Sequence, residues 1–133
     1  MTPALLDRVL ATEPGRRAIA LVNVPMTLPV FQSHFPRFPV LPGVLLLDRV
    51  HAVAALIAPP GLVRPVLLRG ARFRRYIEPG DQIRITVEAV ADVASAEAHA
   101  DRFDCRALAE VDGRRAATVA LLRLGPSTGD PHD

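Results

Sequence analysis

The sequence predicts an α+β domain in which a long antiparallel sheet wraps around one central buried helix. Three features predict it. Val44 to Ala58 is apolar on nearly every helical face and is opened by Pro42-Gly43. Gln82 to Val90 and Arg102 to Val111 alternate apolar and polar residues in the manner of half-buried strands. Asp112-Gly113 is a hairpin signal leading into a further strand, Arg115 to Leu124. A helix without a polar stripe must be covered on all sides, and a sheet with one apolar face is the natural cover.

The elements follow in order. Leu5, Leu6, Val9 and Leu10 recur at helical spacing behind Thr2 and Pro3, which predicts a short leading helix ending before Pro14-Gly15. Ala18 to Val24 reads as a strand. Leu28 to Phe38, broken by Pro29 and Pro36, reads as a short strand running into a loop. The central helix then runs to Pro59-Pro60-Gly61, and Gly80-Asp81 closes another turn. Residues 1–124 are expected to form a single domain, and the polar tail 125–133 is expected to be disordered.

Composition excludes several classes of function. The chain has 133 residues, half of them hydrophobic, with a formal net charge of +2. That charge is too small to argue for nucleic acid. Cys105 is the only cysteine, which rules out an intrachain disulfide and argues against a cysteine metal site. It reads as a small buried apolar residue. No apolar run is long enough to span a membrane, and Met1 to Arg17 lacks the layout of a signal peptide. A cytoplasmic protein is therefore expected. All 16 basic residues are arginine, and Arg64, Arg69, Arg72, Arg74 and Arg75 crowd one stretch. Such a cluster is either a solvated strand face or a docking patch for an acidic partner.

The chemistry concentrates between His34 and Asp48. Prolines and glycine stiffen a loop that places His34 ahead of the helix, and Pro42-Gly43 leaves unpaired N–H groups at the helix start. Asp48 lies more than one turn into an apolar helix. A lone carboxylate buried there needs a partner, such as His51 one turn on, or a task.

This stretch resembles the signature of the 3-hydroxyacyl-[acyl-carrier-protein] dehydratases of the FabZ and FabA type. His34, Phe35, Pro36, Pro39, Pro42, Gly43 and Asp48 fill every place of that pattern. Phe73-Arg74-Arg75, Pro79-Gly80-Asp81 and Asp112-Gly113 resemble the family's later strands, so the similarity runs from about Leu21 to Leu124. The resemblance implies a hot-dog fold and a homodimer, or a larger assembly of dimers, with each active site shared between two subunits. His34 would take the proton beside the thioester carbonyl. Asp48 of the other subunit would protonate the departing 3-hydroxyl, and the Gly43 N–H would polarise the carbonyl. Phe35, Pro42, Gly43 and Val44 would line the substrate site, with no metal and no cofactor. The thioester would be carried by acyl carrier protein or coenzyme A, with Arg72, Arg74 and Arg75 docking an acidic carrier.

The sequence departs from the family in three places. Asp48 stands where the FabZ type has glutamate, Ser33 where a glycine precedes the histidine, and Ala52 where a glutamine supports the carboxylate. Arg49 and His51 also add charge to a helix that is commonly small or apolar there. Two alternatives follow. One is a hot-dog thioesterase using the helix carboxylate on water, which leaves the His34 loop unexplained. The other is a catalytically inactive dehydratase-like subunit that pairs with an active paralogue; Ser33 and Ala52 favour it, while His34, Gly43 and Asp48 oppose it.

Overall fold

The computed structural model describes residues 6–25, 41–90 and 101–126. Among these residues six strands and one helix follow in chain order: β1 (Arg8–Glu13), β2 (Arg17–Asn23), α1 (Gly43–Ala55), β3 (Leu62–Phe73), β4 (Gln82–Ala89), β5 (Phe103–Val111) and β6 (Arg114–Pro126). They build one sheet in the order β1-β2-β4-β5-β6-β3, and every neighbouring pair is antiparallel. Helix α1 packs on one face of it, against β2, β3 and β4.

The alternation that predicts the strands also builds the core. Ile83, Ile85 and Val87 of β4 are fully buried beneath the helix, while Arg84 on the same strand faces solvent. On β5 the buried set is Phe103, Cys105, Ala107 and Ala109, and on β2 it includes Ala18, Ala20 and Val22. Leu46, Val50, Val53 and Ile57 fill the space above them. The many alanines on the inner face let the helix lie close to the sheet. At the β5–β6 hairpin Asp112 and Gly113 take φ of 54° and 75°, the left-handed pair that a two-residue turn of this hand requires.

The first expected element is different. Residues 8–13 are strand rather than helix, and Pro14-Gly15 is the turn of a β1–β2 hairpin rather than a helix stop. The spacing of Leu6, Val9 and Leu10 fits a helix locally, but the free edge of β2 offers a ladder of backbone partners. Tertiary pairing overrides the local pattern. Strand β3 lies in the stretch of the arginine cluster, in agreement with the strand-face alternative for it. Strand β6 runs to Pro126, with Gly125 and Pro126 paired to Arg64 and Leu62 of β3, so the expected tail begins inside the sheet. The expected strand and loop at 28–38 lies outside the described residues, as does 127–133. No helix among the described residues is long and apolar enough to cross a membrane.

Cys105 is buried as expected, and its thiol donates to the Leu122 carbonyl at 3.5 Å. Burial, reinforced by the neighbouring Asp104 charge, pushes the thiol up from 9.0 to about 12. A raised folded-state value stabilises the fold fully below pH 9, and that contribution is lost as pH climbs from 9 towards 12. Urea unfolding of the protein and of Cys105→Ala between pH 8 and 11 should therefore show a stability difference that shifts against wild type with rising pH. A constant difference would contradict the burial.

Candidate active site

The start of α1 is held from several directions. Leu41 is buried and donates its N–H to the Ile77 carbonyl at 2.6 Å. Pro42 takes φ −60° and ψ 144° as the N-cap, and its carbonyl accepts from the N–H groups of Leu45 and Leu46. The N–H groups of Gly43 and Val44 precede the first intrahelical bonds, and the N-cap proline has no side-chain group to cap them. The positive end of the helix dipole therefore lies at Gly43 and Val44.

Gly43 lets the Phe73 ring pack closely on the helix start. A Cβ on Gly43 would lie 2.9 Å from that ring. Phe73 is the last residue of β3 and points to the helix side of the sheet, yet it remains 52% exposed. The sequence holds the signal for this contact. In Arg72-Phe73-Arg74 strand alternation sends the ring one way and the two guanidiniums the other.

Asp48 is exposed, contrary to the expectation of a buried carboxylate. The helix is not apolar on every face in space: Val44, 66% exposed, and Asp48 one turn on form a stripe turned away from the sheet. Leu46, Val50 and Val53 take the inner face. Asp48 makes no ion pair among the described residues, because neither neighbouring base turns to it. Arg49 donates to the Leu45 carbonyl at 3.1 Å, and His51 Nε2 lies 2.6 Å from the Val63 carbonyl. Ala52 is buried and offers no hydrogen bond to support the carboxylate. His34, Phe35 and Ser33 lie outside the described residues.

The arginine cluster is divided. Arg72 and Arg74 line a groove on the outer face of the sheet together with Arg106 and Arg115. Gly70, Thr118 and Ala120 contribute to its floor, and Glu88, already bonded to Arg106 at 3.2 Å, is its one carboxylate among the described residues. Arg75 lies apart, beside Tyr76, Glu78, Asp81 and Arg114. Arg64 is used in holding β3 to β6, donating to the Pro126 carbonyl at 3.2 Å.

Among known families, residues 11–111 match the ApeI-like family, described as ApeI dehydratase. A 3-hydroxyacyl-[acyl-carrier-protein] dehydratase FabZ of Burkholderia cenocepacia is 39% identical over 127 residues, covering 89% of this chain and 78% of that protein. The chain belongs to the 3-hydroxyacyl-[acyl-carrier-protein] dehydratase family. A FabZ of Symbiobacterium thermophilum is 50% identical over 93 residues, 65% of this chain; the chain spans 66% of it, just under two thirds. Among solved structures, the dehydratase heterocomplex ApeI:P from Xenorhabdus doucetiae superposes with a TM-score of 0.68 at 21% identity, covering 86% of this chain and 92% of that one. That likeness concerns the fold, which is the hot-dog arrangement of a helix held by an antiparallel sheet. In this dehydratase-family chain, Asp48 and Gly43 occupy the turns of α1 that the sequence pattern marks.

Proposed function

We propose that this chain is a dehydratase that removes water from a 3-hydroxyacyl thioester to give the trans-2-enoyl thioester. The observation that carries the reading is a solvent-facing carboxylate, without an ion pair among the described residues, on the helix that opens at Gly43, in a chain of this family. His34 takes the proton from the carbon between the carbonyl and the hydroxyl-bearing carbon. The electron pair moves into the new double bond as the C–O bond breaks, and Asp48 gives its proton to the departing hydroxyl. The Gly43 N–H, at the positive end of α1, holds the carbonyl oxygen while enolate charge builds on it. Val44, Pro42 and Phe35 supply the apolar wall for the acyl chain. The groups of this reading are all acids, bases and backbone donors of the chain itself.

The same reading places His34 of one subunit opposite Asp48 of another. Strand β3 is an edge of the sheet among the described residues, and Leu68 and Phe73 stay 38% and 52% exposed. An edge with exposed apolar side chains is a template for pairing with a second chain. A homodimer, or a heterodimer with a paralogue, would cover it. A cytoplasmic location belongs to this reading too.

Mass spectrometry of 3-hydroxyacyl thioesters of several lengths tests the proposal. Loss of water with the thioester intact supports it; release of the free acid would make the chain a thioesterase. The groove holding Arg72 and Arg74 is the proposed dock for an acidic carrier protein, because its four guanidiniums face one carboxylate. Charge reversal at Arg72 and Arg74 is expected to weaken turnover of carrier-bound substrate about tenfold and to spare a short free thioester. Raised salt should reproduce the defect. Equal loss on both substrates would assign these arginines to folding instead.

A further inference from the structure

Helix α1 is strapped to strand β3 at both ends. Near its start Gly43 lies against the Phe73 ring, and towards its other end His51 Nε2 lies 2.6 Å from the Val63 carbonyl. Phe73 and Val63 sit at opposite ends of the strand Leu62–Phe73, so Asp48 lies on the span between the two contacts. The second contact depends on an irregularity of the sheet. The register of β3 on β6 shifts between Leu62 and Arg64, and Val63 is passed over in the pairing. A bulged residue is free of the ladder, which leaves the Val63 carbonyl for the imidazole.

The two kinds of contact on α1 do different work. Leu46, Val50 and Val53 bury apolar surface, a force without direction that sets how deep the helix lies. A hydrogen bond is directional and resists rotation of the helix about its own axis. His51 follows Asp48 by three residues and shares its side of the helix. Side-chain tips stand about 5–6 Å from a helix axis, so a roll of about 10° would carry the Asp48 carboxyl about 1 Å. A displacement of that size can cost about a hundredfold in rate.

We propose that His51 is a positioning residue for Asp48, fixing the azimuth of the helix through the Val63 carbonyl. The inference rests on the reading of Asp48 as the acid. Facing a carbonyl, Nε2 must carry the proton, and both the neutral tautomer that does so and the imidazolium provide that donor. His51 thus acts through a hydrogen bond and not through proton transfer. It also stands one position before Ala52, where the family's supporting glutamine is missing, so the strap offers a different means of holding the carboxylate.

The test compares His51→Leu, which fills similar space without a donor, with His51→Gln, whose side-chain N–H reaches about as far as Nε2. Asp48→Asn is assayed beside them. His51→Leu is expected to lower kcat about ten- to a hundredfold with KM within about twofold of wild type. His51→Gln should recover kcat to within about threefold of wild type. If the leucine variant does not fold, His51→Asn, too short to reach Val63, takes its place. Wild-type kcat in the donor-less variant, or equal damage in His51→Gln, would overturn the inference while an inactive Asp48→Asn leaves the reading of Asp48 standing. An active Asp48→Asn would instead overturn that reading.

Discussion

Asp48→Asn is expected to lower dehydration by at least about a hundredfold while leaving the unfolding midpoint close to that of wild type. The amide keeps the size and shape of the carboxyl but cannot serve as the acid that protonates the leaving hydroxyl. The fold should tolerate it because Asp48 is exposed and makes no ion pair among the described residues. Removing such a charge is usually worth less than about 0.5 kcal/mol. His34→Ala should fall at least as far, since it removes the base from the opposite side of the same reaction. Both variants are measured by hydration of an enoyl thioester, the reverse direction, alongside thermal unfolding. Near-normal turnover in a folded Asp48→Asn protein would remove Asp48 from the chemistry and leave the exposed stripe on α1 without a task.

Mixing the two inactive proteins should bring activity back. In a homodimer with shared sites, a His34→Ala chain still offers Asp48 to its partner, and an Asp48→Ala chain still offers His34. A mixed dimer therefore contains one doubly damaged site and one intact site. Random one-to-one reassembly makes about half of the dimers mixed, so activity should return to about a quarter of wild type. The exposed Val44–Asp48 stripe and the half-exposed Phe73 at the β3 edge motivate the experiment, since both are surfaces a second chain would cover. The proteins are unfolded together, refolded and assayed, with each mutant alone as control. Continued inactivity, with mixed dimers demonstrated by mass, would place both residues in one chain.

Much of this architecture was legible in the sequence, for a physical reason. Strands β4 and β5 alternate strictly because one face of the sheet is buried and the other wet, and that period survives in any reading of the residues. Asp112-Gly113 was equally plain, because few residue pairs accept two left-handed conformations in succession. Residues 8–13 misled because a four-residue spacing of leucine and valine fits a helix turn as well as a strand whose ladder comes from elsewhere. Strand β3 is legible only as one of two alternatives for the arginine cluster, because Arg64, Arg69 and Arg72 blur the alternation of this largely exposed edge strand.

The proposed site can be read in the sequence as a set of residues but not as a geometry. The spacing from Pro42-Gly43 to Asp48 fixes the helix start and the turn that carries the carboxylate. It does not say which way that turn faces, because a helix with apolar residues all round gives no azimuth. The exposure of Asp48, the ring of Phe73 on Gly43 and the tie of His51 to Val63 all depend on strand β3. Its position beside β6 is a long-range pairing that no local pattern encodes.

Water labelled with heavy oxygen shows whether this protein adds and removes water at the 3-position of an acyl thioester. The protein, incubated with a 3-hydroxyacyl thioester in labelled water, is expected to pass label into the 3-hydroxyl through reversible dehydration, with the thioester intact. Asp48→Asn should stop the exchange. Label appearing only in the carboxylate of a released acid, or no exchange at all from a folded, dimeric protein, would contradict the proposed dehydration.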